Sequence, residues 1–162
     1  MPKKNPAKLK KVTIKIPWVG ELEFEDDPTQ RMAAWSLYVE LVTRIAVEPL
    51  GADEGILREA LNSLYSLFST TREILKTAGP EVGCRENTVG GIAIIILNKG
   101  IRPFLAYWHP RLQAWEAKRD SSTSMQEHEQ QWTEEIHLRK AFDDLRIKLT
   151  QYADALEKIS GV

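Results

Sequence analysis

The histidines and the acidic residues beside them are the first candidates for chemistry in this sequence. Glu134 and His137 are three residues apart, a spacing that places a carboxylate and an imidazole on one helix face, as in di-iron carboxylate bundles. Such bundles need a second Glu-x-x-His and two further inward glutamates, and the chain has no second motif of this kind. We therefore predict a solvated helix face, with no metal site and no cofactor. His128, between two glutamates in the first turn of a predicted helix, is expected on the surface.

Cys84 is the only cysteine of the chain, so no intramolecular disulfide and no cysteine-rich zinc site is expected. A cysteine nucleophile also needs a neighbouring base and an oxyanion site. The sequence assigns neither, and we interpret Cys84 as an unreactive loop thiol.

Arg102 and His109 have the spacing with the most definite chemical counterpart. An arginine, six residues and a histidine resemble the Arg-x(4 to 6)-His pattern of the HEPN family of helical-bundle ribonucleases. The resemblance covers this pair and the helical character of the chain. It implies metal-independent RNA cleavage in which the pair activates a ribose 2′-hydroxyl and steadies the phosphate, in a site usually formed by two protomers. The alternative is that both are half-exposed helix residues, with Trp108 packed inward.

Charge is nearly balanced over the whole chain but is sorted along it. The 22 basic and 23 acidic residues leave a net charge of −1, yet the first acid follows six lysines, and acids then dominate residues 21–27. A lysine-rich arm can bind nucleic acid without sequence preference by releasing counterions. The alternative is a solubilising arm whose later lysines pair with the acidic strand. The candidate nucleic-acid residues are Lys3, Lys4, Lys8, Lys10 and Lys11.

A β-hairpin over residues 10–26 is predicted after this arm of residues 1–9. Apolar and polar residues alternate on both sides of a turn at 17–20, the period of two that half-buried strands show. We expect lysines of the first strand to face glutamates of the second. Because an isolated hairpin is marginal in water, its apolar face must lie against the rest of the chain or against a partner.

Residues 27–162 predict a single helical bundle, so the expected fold is mainly α: an elongated four-helix bundle preceded by a short N-terminal hairpin. Residues 92–97 alone would also suit a buried strand. Apolar residues continue every three or four positions from Ile94 to Trp115, however, which favours a helix. The predicted helices run from Pro28, capped by Asp27, to about Val47; from a cap at Asp53 to Gly79; from about Thr88 to Arg119 with a bend at Pro103; and from Ser124, in a capping box with Glu127, almost to Gly161.

Protein association is the function that this pattern favours. The first predicted helix is apolar nearly all round, and five tryptophans are many for this length; Trp is enriched in binding hot spots. We interpret the chain as a non-enzymatic helical interaction subunit, a homo-oligomer or a component of a larger complex. HEPN-like cleavage and nucleic-acid binding by the arm are the alternatives. The predicted interface residues are Ile14, Ile16, Trp18, Phe24, Trp35, Trp108 and Trp115.

The expected location is the cytoplasm, because no apolar stretch follows the lysine-rich N-terminus as in a secretory signal. The uncharged stretch of the most apolar region spans twelve residues, 87–98. A membrane-spanning helix needs about 20 apolar residues, so no transmembrane segment is predicted.

Overall fold

A computed structural model describes residues 11–44, 50–51 and 54–162. The described residues are 69% helical and begin with an antiparallel hairpin, which confirms the predicted mainly α architecture. A π-helical segment, Ile96–Ile101, joins two of the helices without a break. The elements are the strands Lys11–Ile16 (β1) and Gly20–Glu25 (β2) and the helices Pro28–Val42 (α1), Leu57–Ala78 (α2), Val89–Ile95 (α3), Arg102–Glu116 (α4), Met125–Gln130 (α5) and Glu135–Ser160 (α6).

The hairpin packs on the bundle through its apolar face. Ile14 pairs with Leu22 and Val12 with Phe24 in the antiparallel register, and β1 contacts α6. The chain's own helix thus covers the face that an isolated hairpin would expose. Lysines of β1 face the acidic strand as predicted, and Lys11 forms an exposed ion pair of 3.8 Å with Glu23.

α1 begins where its capping residues predict and ends early. The Oδ1 of Asp27 accepts hydrogen bonds from the backbone N–H of Thr29 at 2.7 Å and of Gln30 at 3.4 Å, the usual stabilisation of a helix start. α1 ends at Val42, several residues before the predicted end near Val47, which lies outside the described residues. α1 packs against both α6 and α2, so it is central to the bundle.

α2 begins later than predicted and is capped from elsewhere in the chain. It starts at Leu57, after Ile56, whose side chain makes no capping hydrogen bond; the predicted cap, Asp53, lies outside the described residues. Glu129 supplies the acceptor instead: its carboxylate accepts from the N–H of Leu57 at 2.7 Å and of Arg58 at 3.3 Å. The acceptor at this helix start is thus a buried residue 72 positions away in the chain.

The third segment is helical throughout, which settles the choice between helix and strand. α3, the π-helical segment and α4 run continuously from Val89 to Glu116. The departure from α-helical geometry is the π-helical segment at 96–101, just before Pro103, where a bend was predicted. Gly100, within it, touches the indole of Trp18: a Cβ built there would lie 2.4 Å from a ring atom. The widened turn therefore receives a side chain from the hairpin turn.

This continuous helix is the one described helix long and apolar enough to cross a membrane by length and composition. The prediction that no segment spans a membrane was based on the uncharged stretch 87–98 alone. It did not include the apolar residues that follow Lys99 in the same helix. Half of its most apolar window is buried inside the chain. A core helix of a soluble protein meets the same criteria, so the finding is weak evidence for a membrane span.

The last predicted helix is two helices, and the prediction of one continuous helix from Ser124 is wrong. The capping Ser124 accepts from the N–H of Glu127 at 3.1 Å, but α5 ends at Gln130 and α6 starts at Glu135. In an unbroken helix Trp132 would stand about 120° away from the apolar row that begins at Leu138. The interruption lets Trp132 enter the core, where its ring meets that of Trp108 edge to face at 6.3 Å.

Candidate functional site

Arg102 and His109 line one groove between α2 and α4. They are seven residues apart, two helical turns, and therefore lie on the same side of α4. The groove has a volume of about 500 Å³, within the range of small-molecule sites. Its described lining residues include three basic side chains and no carboxylate. Its lining residues are Tyr65, Phe68, Ser69, Arg72, Arg102, Leu105, Ala106, His109 and Pro110.

Two arginines contact the buried ring of Phe68 at one end of the groove. The guanidinium carbon of Arg102 lies 4.8 Å from the ring centroid and that of Arg72 lies 6.0 Å from it, so the two carbons are within about 11 Å of each other. The Nε of Arg102 donates to the Oδ1 of Asn98 at 3.2 Å, which orients the guanidinium. Among the described residues neither arginine forms an ion pair. This end of the groove is therefore a concentration of positive charge without a counter-ion.

His109 lies towards the other end, where Arg58 holds it. The Nη1 of Arg58 donates to the Nδ1 of His109 at 2.8 Å, while its Nε donates to both carboxylate oxygens of Glu116, at 3.1 and 3.0 Å. Because arginine is always a donor, Nδ1 must accept, and the imidazole is neutral with its hydrogen on Nε2. In this state His109 offers an N–H to a ligand.

The buried Glu129 supports this arrangement from behind. Its carboxylate binds the backbone N–H of Arg58, so it fixes the residue that holds both Glu116 and His109. Burial raises the pKa of Glu129 above its usual range, and the hydrogen bonds from Leu57 and Arg58 oppose that shift. Sequence reasoning missed Glu129, because a glutamate in a short polar helix is usually exposed.

His128 is buried, so its predicted surface position is wrong. Its ring stacks on Trp115 with centroids 4.4 Å apart, and its Nε2 lies 2.6 Å from the backbone oxygen of Trp115. The Nε1 of Trp115 in turn donates to the backbone oxygen of His128 at 2.7 Å. This reciprocal contact fastens α5 to α4 and so places Glu129 beneath α2.

The other predicted polar candidates are scattered. His137 and Glu134 form an exposed pair at 3.3 Å on α6, and Cys84 is exposed. The described part of the chain contains no group of three or more His, Cys, Asp or Glu suited to a metal ion. Of the arm's candidate residues, Lys11 begins β1 and is exposed. Lys3, Lys4, Lys8 and Lys10 lie outside the described residues, and their nucleic-acid role stays a prediction.

The predicted interface residues divide by burial. Trp35 on α1 is 46% exposed, and Trp18 and Trp115 are half-buried. The remaining four belong to the core of the single chain and are not available to a partner in this conformation: Ile14, Ile16, Phe24 and Trp108. Of the sequence-predicted set, Trp35 is thus the most accessible contact.

Comparison with known proteins gives no match: neither a family model, nor a curated protein, nor a solved structure corresponds to this chain. The structure itself defines the class, a mainly α bundle with an N-terminal hairpin and a cationic groove between two of its helices.

Proposed function

We propose that this chain is a non-enzymatic helical interaction subunit that associates with a second copy of itself through the outer side of α1. The supporting observation is an exposed apolar stripe at helical spacing, defined by Met32, Trp35 and Val39, which are 73%, 46% and 38% exposed. Trp35 also stacks on Tyr38 with ring centroids 5.7 Å apart, so its indole is already held in place. A preorganised aromatic side chain loses little freedom when it is covered.

The charges around the stripe favour a copy of the same chain. Within α1 the only charged residues are Arg31 and Glu40; Arg31 pairs with Asp26 at 3.0 Å and Glu40 with Arg44 at 2.9 Å. α6, by comparison, carries ten charged residues. A face whose few charges are internally neutralised can meet itself about a two-fold axis without like-charge repulsion. The alternative partner for this stripe is a different protein of a larger complex that has an apolar face of its own.

Sedimentation velocity over a range of micromolar concentrations tests this function. The wild-type chain is expected to dimerise, and Trp35→Glu to remain monomeric because it buries a charge in the contact. Ile147→Glu is the matched control: Ile147 is 54% exposed and lies two residues from the buried Leu145 and Leu149, on the opposite side of α6. A monomeric wild-type chain, or equal loss in both variants, overturns self-association through α1.

Metal-independent RNA cleavage in the groove is the second candidate function, favoured by the shared position of Arg102 and His109. In such a reaction a base takes the proton of a ribose 2′-hydroxyl and the oxygen attacks the adjacent phosphorus. The bond to the 5′ oxygen breaks, leaving a cyclic phosphate, and that oxygen takes a proton from solvent. Arg102 would neutralise the phosphate. His109 would have to leave Arg58 before acting as the base, because its Nδ1 is occupied and its Nε2 carries a hydrogen.

A single-stranded RNA incubated with wild-type and variant chains tests this candidate. His109→Ala is expected to abolish cleavage while the far-ultraviolet circular dichroism is unchanged, and His137→Ala, on the exposed side of α6, is expected to retain it. Cleavage that persists in His109→Ala, or none by the wild-type chain, excludes the reaction.

A further inference from the structure

We propose that the groove between α2 and α4 binds a nucleoside monophosphate, with the phosphate between Arg72 and Arg102 and the base beside Tyr65. This proposal does not depend on self-association through α1. It also differs from RNA cleavage, since it assigns the groove to reversible binding of a small ligand.

The phosphate site follows from two arginines that contact the same aromatic ring and form no ion pair with any described residue. The guanidinium groups of Arg72 and Arg102 share the ring of Phe68, and none of the described residues that line the groove carries a carboxylate. Neighbouring cations repel each other, so an anion between them relieves that repulsion as well as forming charge-assisted hydrogen bonds. The Nε of Arg102 is bound to Asn98, and no hydrogen bond to another described residue occupies its two terminal nitrogens.

The rest of the groove favours an organic phosphate over a free ion. Phe68, Leu105 and Ala106 give it an apolar lining, and Tyr65 is 70% exposed at its edge. Aromatic side chains of this kind stack with nucleobases. α2 and α4 run antiparallel, since Arg58 contacts His109 whereas Phe68 contacts Arg102. Because His109 follows Arg102 by seven residues, it lies about 10 Å further along α4.

His109 completes the site as a donor. Held by Arg58, its neutral ring offers Nε2–H, which suits a ribose hydroxyl or a base acceptor at the end away from the phosphate. The fixed tautomer gives this polar contact a single orientation. The groove thus has a cationic end, an apolar middle and a neutral donor end, in the order of phosphate, sugar and base.

Isothermal titration calorimetry with AMP, adenosine and inorganic phosphate tests the proposal. AMP is expected to bind the wild-type chain more tightly than either fragment. Arg72→Gln and Arg102→Gln are each expected to weaken AMP by about tenfold or more, because each removes a charge-assisted contact. Tyr65→Leu should weaken AMP and leave inorganic phosphate unchanged.

Arg111→Gln is the matched control, since Arg111 is exposed on α4 but lies over Tyr107 at 3.6 Å, outside the groove. AMP affinity is expected to be unchanged in this variant. Absence of AMP binding at millimolar concentration overturns the proposal, as does an equal loss in Arg111→Gln and Arg102→Gln. Binding of a single-stranded oligoribonucleotide without binding of AMP would assign the groove to RNA and also overturn it.

Discussion

Replacing Glu129 with alanine tests how a distant carboxylate holds the first turn of α2. Glu129 is 2% exposed and satisfies the N–H groups of Leu57 and Arg58, at 2.7 and 3.3 Å. Truncation leaves the buried N–H of Leu57 and the part-buried N–H of Arg58 without a partner. An unsatisfied buried donor costs about 1–3 kcal/mol, and a lost helix cap costs about 0.5–2 kcal/mol. We expect Glu129→Ala to lower the free energy of unfolding by about 2–4 kcal/mol, or the Tm by about 4–16 °C.

Urea denaturation followed by circular dichroism measures this loss, with Glu127→Ala as control. Glu127 is exposed in the same helix, and its backbone N–H keeps its bond to Ser124 in the variant. Surface substitutions of this kind usually change stability by no more than about 0.5 kcal/mol. If Glu129→Ala loses no more than Glu127→Ala, the carboxylate does not cap α2 in solution.

The pH dependence of the same residue has a definite sign. Burial raises the folded-state pKa of Glu129 above its ordinary 4.5, so the contribution is fully present below that value and is lost as the pH rises through the folded pKa. The stability of the wild-type chain relative to Glu129→Gln should therefore decrease as the pH rises from the ordinary value of 4.5 through the raised folded-state pKa. A relative stability that increases over this interval would reverse the assigned direction.

Three further substitutions probe contacts inside the bundle, each measured by urea denaturation. Gln30→Leu should cost about 1–3 kcal/mol, because the buried Oε1 of Gln30 accepts from the N–H of Val89 at 2.8 Å; a neutral result would show that water replaces the contact. Gly100→Ala should cost about 1–3 kcal/mol, since its methyl group would meet the indole of Trp18, and unchanged stability would refute that close packing. Burial raises the pKa of Tyr152 well above its ordinary 10, so stability should fall as the pH rises above 10; Tyr152→Phe should remove this slope, and a slope that persists in the variant would assign it to other groups.

The helices could be predicted because apolar spacing is a local property. Ile94, Leu97, Ile101 and Leu105 recur at three or four residues, and that periodicity correctly favoured a helix over a strand. The division of the last helix was missed for the opposite reason. The division depends on the ring contact between Trp132 and Trp108. These residues are 24 positions apart, and no local pattern encodes their contact.

The site was only partly predictable. The seven-residue interval between Arg102 and His109 places them on one side of a helix, which follows from the sequence alone. The packing of α2 on α4 brings Arg72 and Arg102 to the same ring of Phe68 and brings Arg58 to the Nδ1 of His109. The sequence alone does not specify that packing. The role of Glu129 was still harder to predict, since its capping contact joins residues 72 apart in the chain.

The π-helical segment sets the rotational phase of α4 relative to α3. A π turn accommodates one residue more than an α turn, and each residue rotates a helix by about 100°. An extra residue in a regular helix would rotate every following residue by about 100°, and the widened turn at Ile96–Ile101 absorbs that rotation. Arg102 and His109 therefore keep the phase that places them in the groove beside α2, independently of the apolar residues of α3 that build the core.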